Sequence, residues 1–175
     1  RDLAVLGHRL SALGRTDEAI AHLRRAVEIW RSLGLPEQTV MSLQQLGIVL
    51  FSHSRFDEAR QRLDEALVLA RQVGLFEAGL QSDLGMILQA MGRSMEAMYH
   101  HLLALEGHER VNDSVNAANT LGNIANLHLT AGRFPEAAAA YARAQAAFEK
   151  AGDSARTTTT AVNLASIYAS MGRRV

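Results

Sequence analysis

The feature that most constrains this chain is an internal period of about forty residues. Leu6-Gly7, Leu46-Gly47 and Leu84-Gly85 recur at steps of 40 and 38, and the equivalent pairs Ile124-Ala125 and Leu164-Ala165 follow at 40 and 40. Three further columns keep step: Gly14, Ser54, Gly92, Gly132 and Gly172; Ala19, Ala59, Ala97 and Ala137; and Gly34, Gly74, Asn112 and Gly152. Self-similarity of this length means that one supersecondary unit is stacked on copies of itself, each burying its apolar face against its neighbours.

The unit is helical. Apolar residues fall at three- and four-residue spacing, as in Leu3, Leu6 and Leu10, in Leu43, Leu46 and Leu50, and in Leu164, Ile167, Tyr168 and Met171. No strand-like alternation occurs. The Gly34 column accepts Asn, the residue that best replaces Gly in a left-handed backbone, so it reads as a helix C-cap. Each unit is therefore two helices. Pro36 and Pro135 fall in predicted first turns, where a missing N–H costs nothing. The predicted repeats span 1–35, 36–75, 76–113 and 114–153, with a half repeat over 154–175.

Packing explains the columns. Gly7, Gly47, Gly85, Ala125 and Ala165 let the first helix of a unit approach the second, and the Ala19 column does the same from the other side. Leu23, Leu63, His101 and Tyr141 lie one turn beyond those alanines, and Ala26, Ala66, Ala104 and Ala144 three residues further on.

These columns resemble the tetratricopeptide repeat signature of a large residue, Leu-Gly, then alternating large residues and alanines. The set Leu43, Leu46-Gly47, Leu50, Ala59, Leu63 and Ala66 is one full statement of it. The likeness covers essentially the whole chain. HEAT and armadillo units have a similar period, but the Leu-Gly and Gly-to-Ala columns favour the tetratricopeptide unit. A repeat of about 40 residues rather than the usual 34 or so resembles the long-helix subtype of LGN/Pins adaptors, kinesin light chains and bacterial regulators. The sequence departs from the pattern at Gln81 and Ala161, at Ser54, and at His101 and His128. The resemblance implies an all-α fold, a right-handed superhelical α-solenoid of four helix pairs and one extra helix, whose concave face is lined by the first helix of each pair.

Read by that analogy, the concave face carries Gln44, Gln45, Ile48 and Phe51 from the second repeat and Ser82, Asp83, Met86 and Gln89 from the third. Asn119, Asn123, Asn126 and Thr130 follow from the fourth, and Asn163 and Ser166 from the last helix. Only Asp83 in this strip is charged, whereas the second helices hold Arg24, Arg25, Glu28, Arg31, Arg60, Arg62, Asp64, Glu65, Glu149 and Lys150. Such a strip suits a peptide backbone and apolar side chains and lacks a cationic clamp for a terminal carboxylate. For Asn123 and Asn163, one repeat apart, bracing between adjacent helices is the rival reading.

Other chemistry is sparse. The chain has no cysteine, which removes thiolate nucleophiles, disulfides and thiolate metal sites. Eighteen basic and eighteen acidic residues leave no net field to attract nucleic acid or an anionic membrane. No phosphate-binding glycine loop or nucleophile motif occurs. The carboxylate pairs Asp17-Glu18 and Asp57-Glu58 sit in a predicted first turn, where they complement the helix dipole. Glu96, His100, His101 and His108 are spaced so that the histidines diverge, and His8 and His53 stand alone; no metal and no cofactor is expected. Met86, Met91, Met95 and Met98 read as core filler.

The expected function is a non-enzymatic protein-interaction scaffold that binds an extended peptide or a partner helix. The alternative is a ligand- or peptide-sensing domain of a bacterial transcriptional or signalling regulator. Lys150 is the only lysine beside seventeen arginines, a bias that points to a GC-rich bacterial genome, and a cytoplasmic location is expected. Gly172-Arg173-Arg174 restarts the phrase seen at Gly132-Arg133, so the chain reads as a fragment of a longer protein. Its last helix would then leave Leu164, Ile167, Tyr168 and Met171 partly uncovered, with weak self-association through that end as the consequence.

Overall fold

The first seven described helices each stop where the repeat supplies a residue able to turn left-handed. The computed structural model describes residues 15–172 and contains, among them, eight α-helices and no strand. They are α1 Thr16–Ser32, α2 Pro36–Ser52, α3 Phe56–Val73, α4 Ala78–Ala90, α5 Ser94–Arg110, α6 Ser114–Thr130, α7 Phe134–Lys150 and α8 Ser154–Gly172. The helix of the first predicted unit that holds Leu3, Leu6 and Leu10 lies outside the described residues, as do Gly7, His8 and Gly14.

All seven turns use one device. Gly34, Ser54, Gly74, Gly92, Asn112, Gly132 and Gly152 have φ between 57° and 76°. The next residue's N–H then donates to the carbonyl five residues back, from Leu35 to Trp30 through to Asp153 to Phe148, at 2.9–3.0 Å. This closure satisfies carbonyls that the helix end would leave orphaned. Ser54 and Asn112 hold the conformation without being glycine; Asn enters it readily, whereas the Ser54 side chain costs about 1 kcal/mol. Helix starts are less uniform. Asp113 Oδ1 accepts from the Asn116 backbone N–H at 3.2 Å and Asp153 Oδ1 from that of Arg156 at 3.0 Å, while Pro36 opens α2 without needing a cap.

The helices group into two compact units, α1–α4 and α5–α8. In the first, α2 packs between α1 and α3 and also meets α4, which lies on α3. Gly47 is what lets α2 sit down on α3: a Cβ there would stand 3.1 Å from Leu63 Cγ and Cδ2 and 3.4 Å from the Ala59 carbonyl. Ala59, Leu63, Leu43 and Leu50 are fully buried around it. In the second unit α5 packs on α6, α6 on α7 and α7 on α8. Its core joins Ala118, Leu121, Ile124 and Ala125 of α6 to Ala137, Tyr141, Ala144 and Phe148 of α7 and Ile167 of α8.

Two expectations need correction. Of the four α8 residues expected to be partly uncovered, Leu164 and Met171 are half-buried and Tyr168 is 55% exposed, but Ile167 is only 2% exposed because that face of α8 lies on α7. Of the four methionines read as filler, Met86, Met91 and Met98 are half-buried and Met98 packs against the core, but Met95 is 79% exposed. Met95 occupies the position of Asp17, Asp57 and Pro135 in the other units, which faces solvent.

Leu46→Ala should lower unfolding free energy by about 2–5 kcal/mol, since this side chain is 1% exposed. Ser54→Gly should raise it by about 1 kcal/mol by relieving the left-handed backbone. Urea titrations followed by circular dichroism measure both.

Candidate functional site

The 38- to 40-residue period sets which faces of α2, α4, α6 and α8 remain open once their leucine stripes are buried. On α2, Gln44, Gln45, Ile48 and Phe51 flank the buried Leu43, Leu46 and Leu50, and all four are half-buried. On α4, Ser82, Asp83, Met86 and Gln89 take the same place beside Leu84 and Leu88. Gln44 Nε2 donates to Asp83 Oδ2 at 2.6 Å, so the only charge of the predicted strip is tied across α2 and α4. Burial pushes the Asp83 carboxyl above its ordinary value, and the Gln44 bond opposes that shift. Phe51 meets the Phe56 ring at 5.8 Å between centroids, which fixes it at the α2–α3 turn.

In the second unit, Asn119 and Asn123 of α6 and Asn163 of α8 are half-buried, and Asn126, Thr130 and Ser166 are exposed. A cleft of about 280 Å³ opens between these helices, lined by Asn126, Leu129, Tyr141, Asn163, Ser166 and Ile167 among others. Tyr141 stands at its base. Its hydroxyl donates to Asn126 Oδ1 at 2.6 Å. Burial raises the phenol above its ordinary value, and a hydrogen bond from Asn163 opposes the rise. Asn126 and Asn163 therefore brace α6 and α8 through α7. Tyr141 was legible only as a core residue, although a tyrosine at a leucine position signals a buried hydroxyl in need of partners. Thr130 and Ser166 donate to the carbonyls of Asn126 and Val162 in their own helices, at 2.9 and 3.0 Å.

Many of the charged groups of the second helices are paired within the fold. Glu18 accepts from Arg15 at 2.5 and 2.8 Å, and Glu58 from Arg55 at 2.6 and 2.7 Å and from Arg24 at 3.1 Å. These arginines hold both carboxyls below the usual range. Arg24 to Glu58 and Arg31 to Glu65 link α1 to α3, and Arg143 to Glu109 links α7 to α5 at 2.9 Å. Such exposed pairs contribute little each, but they leave the faces of α2, α4, α6 and α8 as the uncharged ones.

The histidines divide sharply. Among the described residues, no group of three or more His, Asp or Glu lies close enough to hold a metal. His53, expected to carry nothing, is a tie: Nδ1 donates to the Val49 carbonyl at 2.9 Å, so Nε2 accepts from Thr16 Oγ1 at 2.6 Å. His108 is buried with Nδ1 3.5 Å from Asp113 Oδ2. His101 is fully buried, and among the described residues neither ring nitrogen has a hydrogen-bond partner. Burial, with a smaller push from His100, lowers its pKa to about 4.

The sequence profile of the tetratricopeptide repeat matches residues 4–72 and 76–150. Comparison with curated proteins gives no match. Among solved structures, the chain is similar to a kinesin light chain with nearly identical TPR-like repeats from Podosopora anserina, at 19% identity and a TM-score of 0.82, covering 99% of this chain and 87% of that one. It is also similar to BtubC (BKLC) from P. vanneervenii, at 20% identity and a TM-score of 0.74, covering 97% and 80%. A third is a Rap protein complexed with competence and sporulation factor, at 17% identity and a TM-score of 0.80, covering 98% of this chain and 49% of that one.

Tyr141→Phe should lower stability by about 1 kcal/mol, because it strands two asparagine side chains. With Asn126→Ala added, the loss in a denaturant titration should fall short of the sum of the two. His101→Leu should raise stability by about 1–3 kcal/mol by removing an unsatisfied N–H. The wild-type chain protonates His101 more readily unfolded than folded, so its stability should decline as pH falls from about 6.5 towards about 4, by up to roughly 3 kcal/mol. His101→Leu should flatten this slope in thermal melts across that range.

Proposed function

The chain belongs to the tetratricopeptide repeat family, and we propose that the open faces of α2 with α4, and of α6 with α8, dock an extended peptide or a partner helix. The family makes it an all-α solenoid scaffold for protein interaction. One observation carries the finer reading: these faces present amides, hydroxyls and half-buried apolar groups, and their one carboxylate is already bonded to Gln44. Amides and hydroxyls of this kind match the alternating donors and acceptors of a peptide main chain, while Ile48, Met86 and Leu129 offer apolar contact. No arginine or lysine stands among the residues proposed for contact, which disfavours a terminal carboxylate as the recognised group.

The residues proposed to touch the ligand are Gln45, Ile48, Ser82, Met86, Gln89, Asn119, Asn123 and Ser166. Gln44, Asp83, Asn126 and Asn163 serve the same faces while bracing them. A second reading has the chain as the peptide-sensing part of a bacterial regulator. The likeness to a Rap protein complexed with a signalling factor favours it. No described helix is long and apolar enough to cross a membrane, and action in the cytoplasm fits both readings.

The test is retention of partners from the source organism's lysate, identified by mass spectrometry, by the wild-type chain and by Ile48→Glu with Ser166→Glu. Both proteins should be equally helical by circular dichroism. The expected result is a peptide or protein held by the wild type and lost by the variant. A partner held equally by both removes the proposal.

A further inference from the structure

A second surface of the molecule departs from its repeat. The outward positions of the other second helices are polar or small: Asp17, Ala21 and Arg24 on α1, Asp57, Gln61 and Asp64 on α3, and Pro135, Ala139 and Ala142 on α7. On α5 the same three positions hold Met95, Tyr99 and Leu102, which are 79%, 60% and 51% exposed. They follow one another at i, i+4 and i+7, and so lie along one face of α5. Large apolar groups gathered on a helix that elsewhere carries solvated residues mark a contact surface.

Beside them runs a groove of about 340 Å³ between α5 and α6, walled by Met95, Met98, Leu102, Ile124 and Leu127. A three-residue turn makes the helices antiparallel, so the start of α5 lies beside the end of α6. That end of the groove is polar and basic. His128 Nδ1 is buried there without a hydrogen-bond partner. Arg133 lines the same end, exposed and, among the described residues, without an ion pair. Its counterparts Arg15 and Arg55 each hold the glutamate three residues on, at 2.5–2.8 Å, whereas Arg133 does not hold Glu136. The groove is thus apolar along two helical turns and ends in a guanidinium with no carboxylate.

We propose that this groove is a second docking site, separate from the faces of α2, α4, α6 and α8 discussed above, and that its occupant is an amphipathic helix of a partner protein. The helix would present apolar side chains at i, i+4 and i+7 to the methionine-lined wall and, a turn beyond, a glutamate or aspartate to Arg133. Helix-in-groove docking uses this spacing, and methionines adapt to the shape of an incoming side chain. Charge complementarity fixes the orientation: the acidic end lies against the start of α5.

The test uses a fluorescein-labelled, alanine-based helical peptide of about 15 residues with leucine at three such positions and one glutamate beyond them. A matched peptide carries lysine in place of the glutamate. Anisotropy titration of the wild-type chain should show saturable binding of the glutamate probe, weakened at least tenfold by Leu102→Glu and by Met95→Glu. Arg133→Glu should weaken the glutamate probe about tenfold and strengthen the lysine probe. Ile48→Glu should change neither. All four substitutions are at exposed or half-buried positions, and thermal melts verify that each variant is folded. Absence of saturable binding by the wild type overturns the proposal, as does binding that survives Leu102→Glu or ignores the charge swap. Loss of binding in Ile48→Glu would place the probe on the other faces and overturn it too. Sedimentation of the unliganded chain separates a last rival: a dimer that Leu102→Glu dissociates would assign the groove to a second copy instead.

Discussion

A helical pair can be repeated only if its two helices approach closely enough to exclude water along their shared face. In this chain that approach rests on side chains that are nearly absent. A Cβ on Gly47 would crowd Leu63 at 3.1 Å, and Ala19, Ala59, Ala97 and Ala137 are all fully buried. The leucines, tyrosine and histidine one turn further on fill the space between. Larger residues in the small columns would push the helices apart, and each unit would then lose its apolar face to water. The left-handed turns complete the device: a reversal of three residues, or four between α3 and α4, with its carbonyls satisfied returns the chain at nearly the same register.

From this constraint the distribution of polar groups follows. The second helices lie where their outer faces can pair, and arginine and glutamate bridge α1 to α3 and α5 to α7. The first helices are left with amides and hydroxyls, some of which stitch neighbouring first helices together. Gln44 reaches Asp83 between α2 and α4, and Tyr141 joins Asn126 of α6 to Asn163 of α8. Bonds of this kind order the side chains of the face, which would reduce the entropy that binding must overcome. Its single carboxylate, Asp83, is already bonded to Gln44, so a partner docking there would be selected by hydrogen bonding and shape rather than by long-range attraction.

The repeat, the all-α class, the helix boundaries near each glycine and the burial of the alanine columns were legible because each is written several times. Redundancy turns a weak local preference into a pattern. What was not legible occurs once. The Gln44 to Asp83 bond joins residues 39 apart that sit in different columns, and nothing local marks it. His53 looked isolated because its partner Thr16 is 37 residues away. The role of Asn126 depends on a tyrosine standing in a leucine column, a signal present in the sequence but read there only as bulk. Ile167 is buried because one face of α8 meets α7, a contact that the apolar stripe of α8 does not identify by itself. Met95 misled because methionine is usually core filler, although its column in the other units already pointed outward. Which of the open polar residues touch a ligand was beyond reach, since bracing and binding draw on the same amides and hydroxyls.

The central claim is that partners dock on the first-helix faces. A photo-cross-linking residue placed at Ser82 of α4, and in a second version at the exposed Gln61 of α3, tests it in the living source organism. Capture of a partner at Ser82 and none at Gln61 is the expected result. Capture at Gln61 with none at Ser82 would put the docking surface on the charged second helices and contradict the account.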